Sequence, residues 1–173
     1  MKDIGMEYQT IDECPNDHII YYKQHEFATQ CPTCHISRYQ SDRLTKKVSR
    51  KVLRHILIIP RLQRLFKCNS LEQFMDYYAR NRSQDDIMRM LADGSIFKEI
   101  EKIWPHFKEE PHNLKLSLAT DSVNPFGDMR FFYSVWPIFV INNNIPPWMS
   151  IKREHIMLSM IVPGIFSFYS YLN

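Results

Sequence analysis

The chain has 173 residues, 45% of them hydrophobic and 24% charged, with only 4 Gly beside 10 Pro. That is enough apolar mass to bury a core in one domain or two small ones, and it excludes collagen-like, Gly/Ser-linker and repeat architectures. The formal charge of +3 is unevenly spread: ten Lys/Arg between Arg38 and Lys67 face one acid, Asp42, so that stretch is +9 and the remainder −6.

Met1-Lys2-Asp3 leads into polar residues without an apolar run, so no secretory signal is expected. The four cysteines are then read for a reducing compartment, as free thiols or metal ligands rather than disulfides. Residues 1–37 are turn-rich and contain Cys14-x3-His18-x12-Cys31-x2-Cys34. Two close pairs separated by about a dozen residues let two short turns face each other across one tetrahedral ion, and Cys3His is a common structural zinc set. Pro15 and Pro32 stiffen the turns, and the β-prone Ile19-Ile20-Tyr21-Tyr22 lies between them. These residues predict a zinc-ribbon-like knuckle over 1–37, closed to substrate and therefore structural. His25 and His35 are weaker candidates, and Cys68 reads as a plain buried thiol.

Residues 38–112 form a second region, basic and then acidic, with helical spacing. Val48, Val52, Leu53, Ile56 and Leu57 share one helical face, and Pro60 breaks or restarts the helix before Leu62, Leu65 and Phe66. Ser70 and Gln73 form a capping-box pattern ahead of Phe74, Tyr77 and Tyr78. Asp93-Gly94-Ser95 predicts a turn and cap before a helix through Phe97, Ile100, Ile103 and Trp104, closed by Pro105. Lys46, Lys47, Arg50, Lys51, Arg54, Arg61 and Arg64 would lie on the polar side of these helices, suited to phosphate contacts with nucleic acid; a solvated helix face is the plainer alternative.

Residues 113–173 read as strands. Leu114, Leu116 and Leu118 alternate with polar residues up to Asp121, Asn124–Asp128 is a turn cluster, and Tyr133–Ile141 and His155–Val162 are further strands. Short links predict an antiparallel meander. Ile156–Leu172 is apolar, but it is shorter than the ~20 residues of a membrane span and is interrupted by Pro163-Gly164, so no membrane partner is expected. Asp121 is by composition a turn aspartate. A two-cation phosphoryl-transfer site needs two or three carboxylates, and after Asp121 the chain offers only Asp128 and Glu154.

Cys14-Pro15-Asn16-Asp17-His18, Cys31-Pro32-Thr33-Cys34, Ser37-Arg38-Tyr39, Arg50–Arg54, Ile58–Phe66, Leu118–Asp121, Asn124-Pro125-Phe126-Gly127, Tyr133–Pro137 and Pro146–Met149 together resemble the transposase of En/Spm-type (CACTA) DNA transposons, from about Cys14 to Gly164. The resemblance implies DNA transposition through Mg²⁺-dependent strand cleavage and joining, a nuclear location, DNA and other transposase chains as partners, and a ribonuclease-H-like nuclease domain in which Asp121 matches the first of three metal-binding carboxylates. His18 stands where the family ordinarily has cysteine, Asp121-Ser122 where it has Asp-Gly, and Met88-Arg89-Met90-Leu91 where it has Met-Arg-His-Pro.

The expectation is thus an α+β chain: a zinc knuckle, a basic helical connector, and three antiparallel strands opening an incomplete ribonuclease-H-like domain. It would be an amino-proximal transposase fragment, catalytically incomplete. The alternatives are a zinc-stabilised DNA-binding or interaction module retained from a transposon, and a non-functional relic.

Overall fold

The structure, a computed structural model, describes residues 7–40, 47–81, 87–90, 93–126 and 134–164. Five strands form one sheet: β1 (Tyr8–Glu13), β2 (Lys51–Ile56), β3 (Leu116–Thr120), β4 (Val135–Asn142) and β5 (Met157–Pro163), in the order β1-β2-β5-β4-β3. β1 pairs antiparallel with β2 along its whole length, Tyr8 opposite Ile56 and Glu13 opposite Lys51. β2 pairs antiparallel with β5, Arg54 opposite Ile161. The last three strands are neighbours in chain order, as a meander requires, and an antiparallel Val123–Val135 bridge ties the β3–β4 link. The fold is therefore mixed α and β.

Two local expectations are corrected. The stretch from Val48 to Leu57 is not helical: Lys51–Ile56 is a strand. Its apolar spacing imitates a helix because Leu53 and Ile56, residues of opposite parity on the strand, are both buried. A short apolar run covered on both faces carries no period of its own. The capping box at Ser70 does not form. Helix α2 (Asn69–Glu72) starts after Cys68 without a side-chain cap, the Gln73 side chain donates to the Ser70 carbonyl, and the Ser70 hydroxyl meets the Cys68 thiol. Strand β1 was unforeseen, and Ile19–Tyr22 contributes a single bridge, Glu13 to Ile20, instead of a strand.

The chain divides into two compact units. The first draws on the sequence up to Leu57, on Thr120–Ile138, and on Leu158 onward. It holds the Cys/His turns and the β1–β2 hairpin.

The second unit takes Ile58–Ala119 and Phe139–Met157. Helix α1 (Ile59–Lys67) carries Pro60 in its first turn, where a missing N–H costs nothing, and buries Leu62. Leu62, Val140 and Met157 form the core, with Ile58, Leu65, Leu114 and Leu116 packed against it. The asparagines after β4 do more than end a strand. Asn144 is buried; its side-chain oxygen accepts from the Lys115 N–H at 2.7 Å and its amide donates to the Asn113 carbonyl at 2.9 Å, while Asn142 Oδ1 accepts from the Asn144 N–H. Buried polar groups must be paired in this way to be tolerated. Lys115 is buried too, its ammonium 4.0 Å from Glu101 and over the Tyr78 ring at 4.7 Å. Short helix α3 (Tyr77–Arg80) carries Tyr77, which meets Trp148 of α6 (Pro147–Ser150) edge to face at 5.3 Å. Helix α4 (Ser95–Ile103) follows Gly94 as expected, and Pro105 opens a further helix, α5 (Pro105–Glu109), besides closing α4.

Candidate metal centre and nucleic-acid surface

Two turns of the same construction bring the four sequence-predicted ligands together. Each starts with Cys-Pro, and in each the cysteine N–H closes the turn on an isoleucine carbonyl five residues on: Cys14 to Ile19 at 2.9 Å, Cys31 to Ile36 at 3.0 Å. Each needs one residue in the left-handed region, Asp17 (φ 62°) in the first and His35 (φ 57°) in the second. Asp and His tolerate that conformation better than most non-glycine residues. Lys51 of β2 then locks the first turn from outside by pairing with Asp17 and, at 3.1 Å, with Glu13.

The donor atoms of Cys14, His18, Cys31 and Cys34 all lie within 4.8 Å of one another. Cys14 Sγ is 3.5 Å from Cys34 Sγ and 3.9 Å from His18 Nδ1. Metal–sulfur bonds of about 2.3 Å in a tetrahedron put donors roughly 3.8 Å apart, close to the 3.5 and 3.9 Å separations at Cys14. Cys14 and Cys31 are buried, Cys34 is half-buried and His18 is exposed. Burial pushes the Cys14 thiol up. Burial acts the same way on Cys31, but the Cys34 and Thr33 N–H groups and the neighbouring Cys34 and Cys14 thiols outweigh it and lower Cys31 to about 6. A thiolate is the form a metal needs, and N–H donors aimed at sulfur are how a protein supplies it. The cluster can hold a zinc-like ion through four protein donors, leaving no coordination position for chemistry. His25 and His35 stand outside it.

Sequence reasoning missed the residue that joins this centre to the sheet. Arg38 donates to Asp12 of β1 at 2.7 Å and to the Glu26 and Ala28 carbonyls at 2.6 and 3.3 Å, with its guanidinium over the rings of Tyr21 (4.7 Å) and Tyr39 (5.3 Å). The signals in the sequence were its membership of the basic run and of the Ser37-Arg38-Tyr39 block, neither of which told its partners.

The other cations are distributed over different elements. Lys46 lies outside the described residues. Lys47, exposed, sits over the Tyr39 ring at 5.4 Å; Arg50, exposed, donates to the Tyr39 carbonyl; Arg54 is exposed on β2; and Lys51 is committed to Glu13 and Asp17. Arg61 and Arg64 lie one turn apart on α1 with Lys67 a turn further on, and burial together with the nearby Arg64 charge lowers the Arg61 pKa.

Asp121 follows the edge strand β3, exposed, its Oδ1 accepting from the Ser122 N–H at 2.7 Å. At the start of the predicted turn cluster, Asn124 accepts from the Phe126 N–H in an Asx turn, and Gly127 and Asp128 lie outside the described residues. Among the described residues, Asp121 belongs to no cluster of three metal-ligating side chains. Glu154 is exposed in the turn after α6, and Asp128 lies outside the described residues.

Residues 85–168 match the profile of the transposase family tnp2. This stretch is similar to that En/Spm-type family. The tnp2 segment contains Asp121, β3, β4 and β5, whereas the Cys/His cluster, the β1–β2 hairpin and the basic run precede it. No curated protein and no solved structure is a significant match. Among the described residues, no helix is long and apolar enough to cross a membrane.

Proposed function

We propose that the chain serves DNA transposition as the DNA-engaging portion of an En/Spm-type transposase. In this reading a zinc-stabilised knuckle and the cations beside it hold DNA, and the tnp2 segment contributes the opening strands of a ribonuclease-H-like sheet. It would work in the nucleus with other transposase chains. The tnp2 match over residues 85–168 carries the proposal. Zinc, held by Cys14, His18, Cys31 and Cys34, would fix the two Cys-Pro turns; the exposed Lys47, Arg50 and Arg54, with Arg61 and Arg64, would meet phosphates. In this reading the chain is catalytically incomplete: among the described residues Asp121 belongs to no three-ligand cluster, and one carboxylate cannot hold the cations that in-line attack at phosphate requires.

Duplex DNA binding by the zinc-loaded chain, titrated at about 50 and about 200 mM salt, tests the first half. Affinity should fall steeply, with a log–log slope of about −0.9 for each phosphate neutralised. A flat response overturns it. A nicking assay with Mg²⁺ tests the second half: turnover that Asp121→Ala abolishes would show that the chain is an enzyme after all.

A further inference from the structure

The loop between the two metal-binding turns displays an aromatic side chain that nothing in its own unit covers. Phe27 is 90% exposed, the most exposed large apolar residue described, and Tyr22 is 50% exposed. Neither sits on a loose segment. A single 3₁₀ turn at Lys23–His25 is braced by N–H donations from His25 to Tyr22, Glu26 to Lys23 and Ala28 to His25. Arg38 then grips the carbonyls on both sides of Phe27, those of Glu26 and Ala28, while its own charge is held by Asp12. Lys23 takes a left-handed conformation (φ 49°) that a non-glycine residue adopts at a cost, with its ammonium over the Tyr22 ring at 5.7 Å. The backbone is thus fixed in a shape whose result is to hold one bare phenyl ring in water.

The charges beside it define what that ring suits. Among the described residues up to Leu57, Asp12 pairs with Arg38, while Glu13 and Asp17 share Lys51, so these two cations are committed to three carboxylates. The cations left facing solvent are Lys23, Lys47, Arg50 and Arg54, against Glu7 and Glu26. Lys23 lies in the same loop, and Lys47 and Arg50 meet Tyr39, the ring that Arg38 also covers; an exposed aromatic on a loop with such cations is the arrangement that stacks a nucleobase while the charges follow the phosphates. A paired duplex hides its base faces, so the ring has use only for an unstacked base. We infer that the Tyr22–Phe27 loop is a stacking platform for single-stranded nucleic acid, with Phe27 the principal contact. The inference rests on the nucleic-acid reading above and adds the strand state that the knuckle selects.

Fluorescence anisotropy on the zinc-loaded full chain, with a labelled single-stranded oligothymidylate and a duplex of equal length, tests it. Phe27→Ala should weaken single-strand binding by about tenfold or more and leave duplex binding within about twofold. Phe27→Tyr, which keeps a ring, should restore it, and Phe27→Leu, apolar without a ring, should not. Equal loss on both substrates, no loss with Phe27→Ala, or rescue by Leu each overturns the stacking platform; rescue by Leu would mark an apolar protein-docking patch instead. A wild-type chain that binds neither substrate overturns the nucleic-acid reading itself, an outcome separate from the others. Zinc content measured on every variant shows that the knuckle is intact.

Discussion

The knuckle and the end of strand β3 place opposite demands on the chain. The knuckle gathers four donors from two turns whose ligands sit three or four residues apart, each turn closed by its own backbone. Asp121 is one donor at a strand end, and a cation site there would have to draw its other carboxylates from elsewhere. A centre made by local geometry can be complete within a few dozen residues. One made by convergence is complete only when every contributing element is present.

The largest effect that sharpens this contrast comes from the metal. If the ion supplies most of the knuckle's folding energy, Cys31→Ser should abolish stoichiometric zinc binding and unfold the turns; structural zinc in small domains is worth of the order of 10 kcal/mol. Metal analysis should find one zinc per wild-type chain and much less than one in the variant. His18→Cys, restoring a fourth sulfur, should keep the metal. A Cys31→Ser chain that retained both zinc and its amide-exchange protection would break the comparison, since the turns would then stand without an ion.

Arg38→Ala comes next. It strands the mostly buried Asp12 carboxylate and releases two loop carbonyls, and breaking such a pair from one side costs about 3 kcal/mol. Chemical denaturation should show that loss, and Arg38→Lys should recover only part of it, since an ammonium cannot reproduce the fork. A neutral Arg38→Ala would mean that the ion alone holds the loop in place. Smaller still is Arg54→Gln. An exposed cation on β2 should matter little to stability, while the salt slope of duplex binding should shrink by about one phosphate.

How much was legible in the sequence follows the same division. The ligand set could be read because Cys-x3-His and Cys-x2-Cys are local spacings, and β3, β4 and β5 because Pro, Gly and Asn punctuate them. Strand β2 was misread because Leu53 and Ile56 are buried on opposite faces, and because the strands that pair with it, β1 and β5, lie about 40 and 100 residues away in sequence. Strand β1, Tyr-Gln-Thr-Ile-Asp-Glu, carries too little apolar alternation to announce itself, and Glu13 is buried in it because Lys51 lies opposite. The basic run was read as one helical face, yet Lys51 serves the first turn, Arg50 and Arg54 belong to the hairpin, and Arg61 and Arg64 to α1. Charge can be counted along a sequence; what each charge is paired with depends on the fold.

Asp121→Ala carries the smallest expected effect and the sharpest reading. The side chain is exposed and its described bond is to the adjacent Ser122 N–H, so stability should change by less than about 0.5 kcal/mol. Adding Mg²⁺ should leave the melting temperature of wild type and variant alike unmoved, because one carboxylate in water binds magnesium too weakly to shift folding by mass action. A Mg²⁺-dependent rise in wild type that Asp121→Ala removes would require other ligands to reach the same ion. The end of β3 would then be a centre built by convergence within this chain, and the contrast with the knuckle would be one of construction and no longer of completeness.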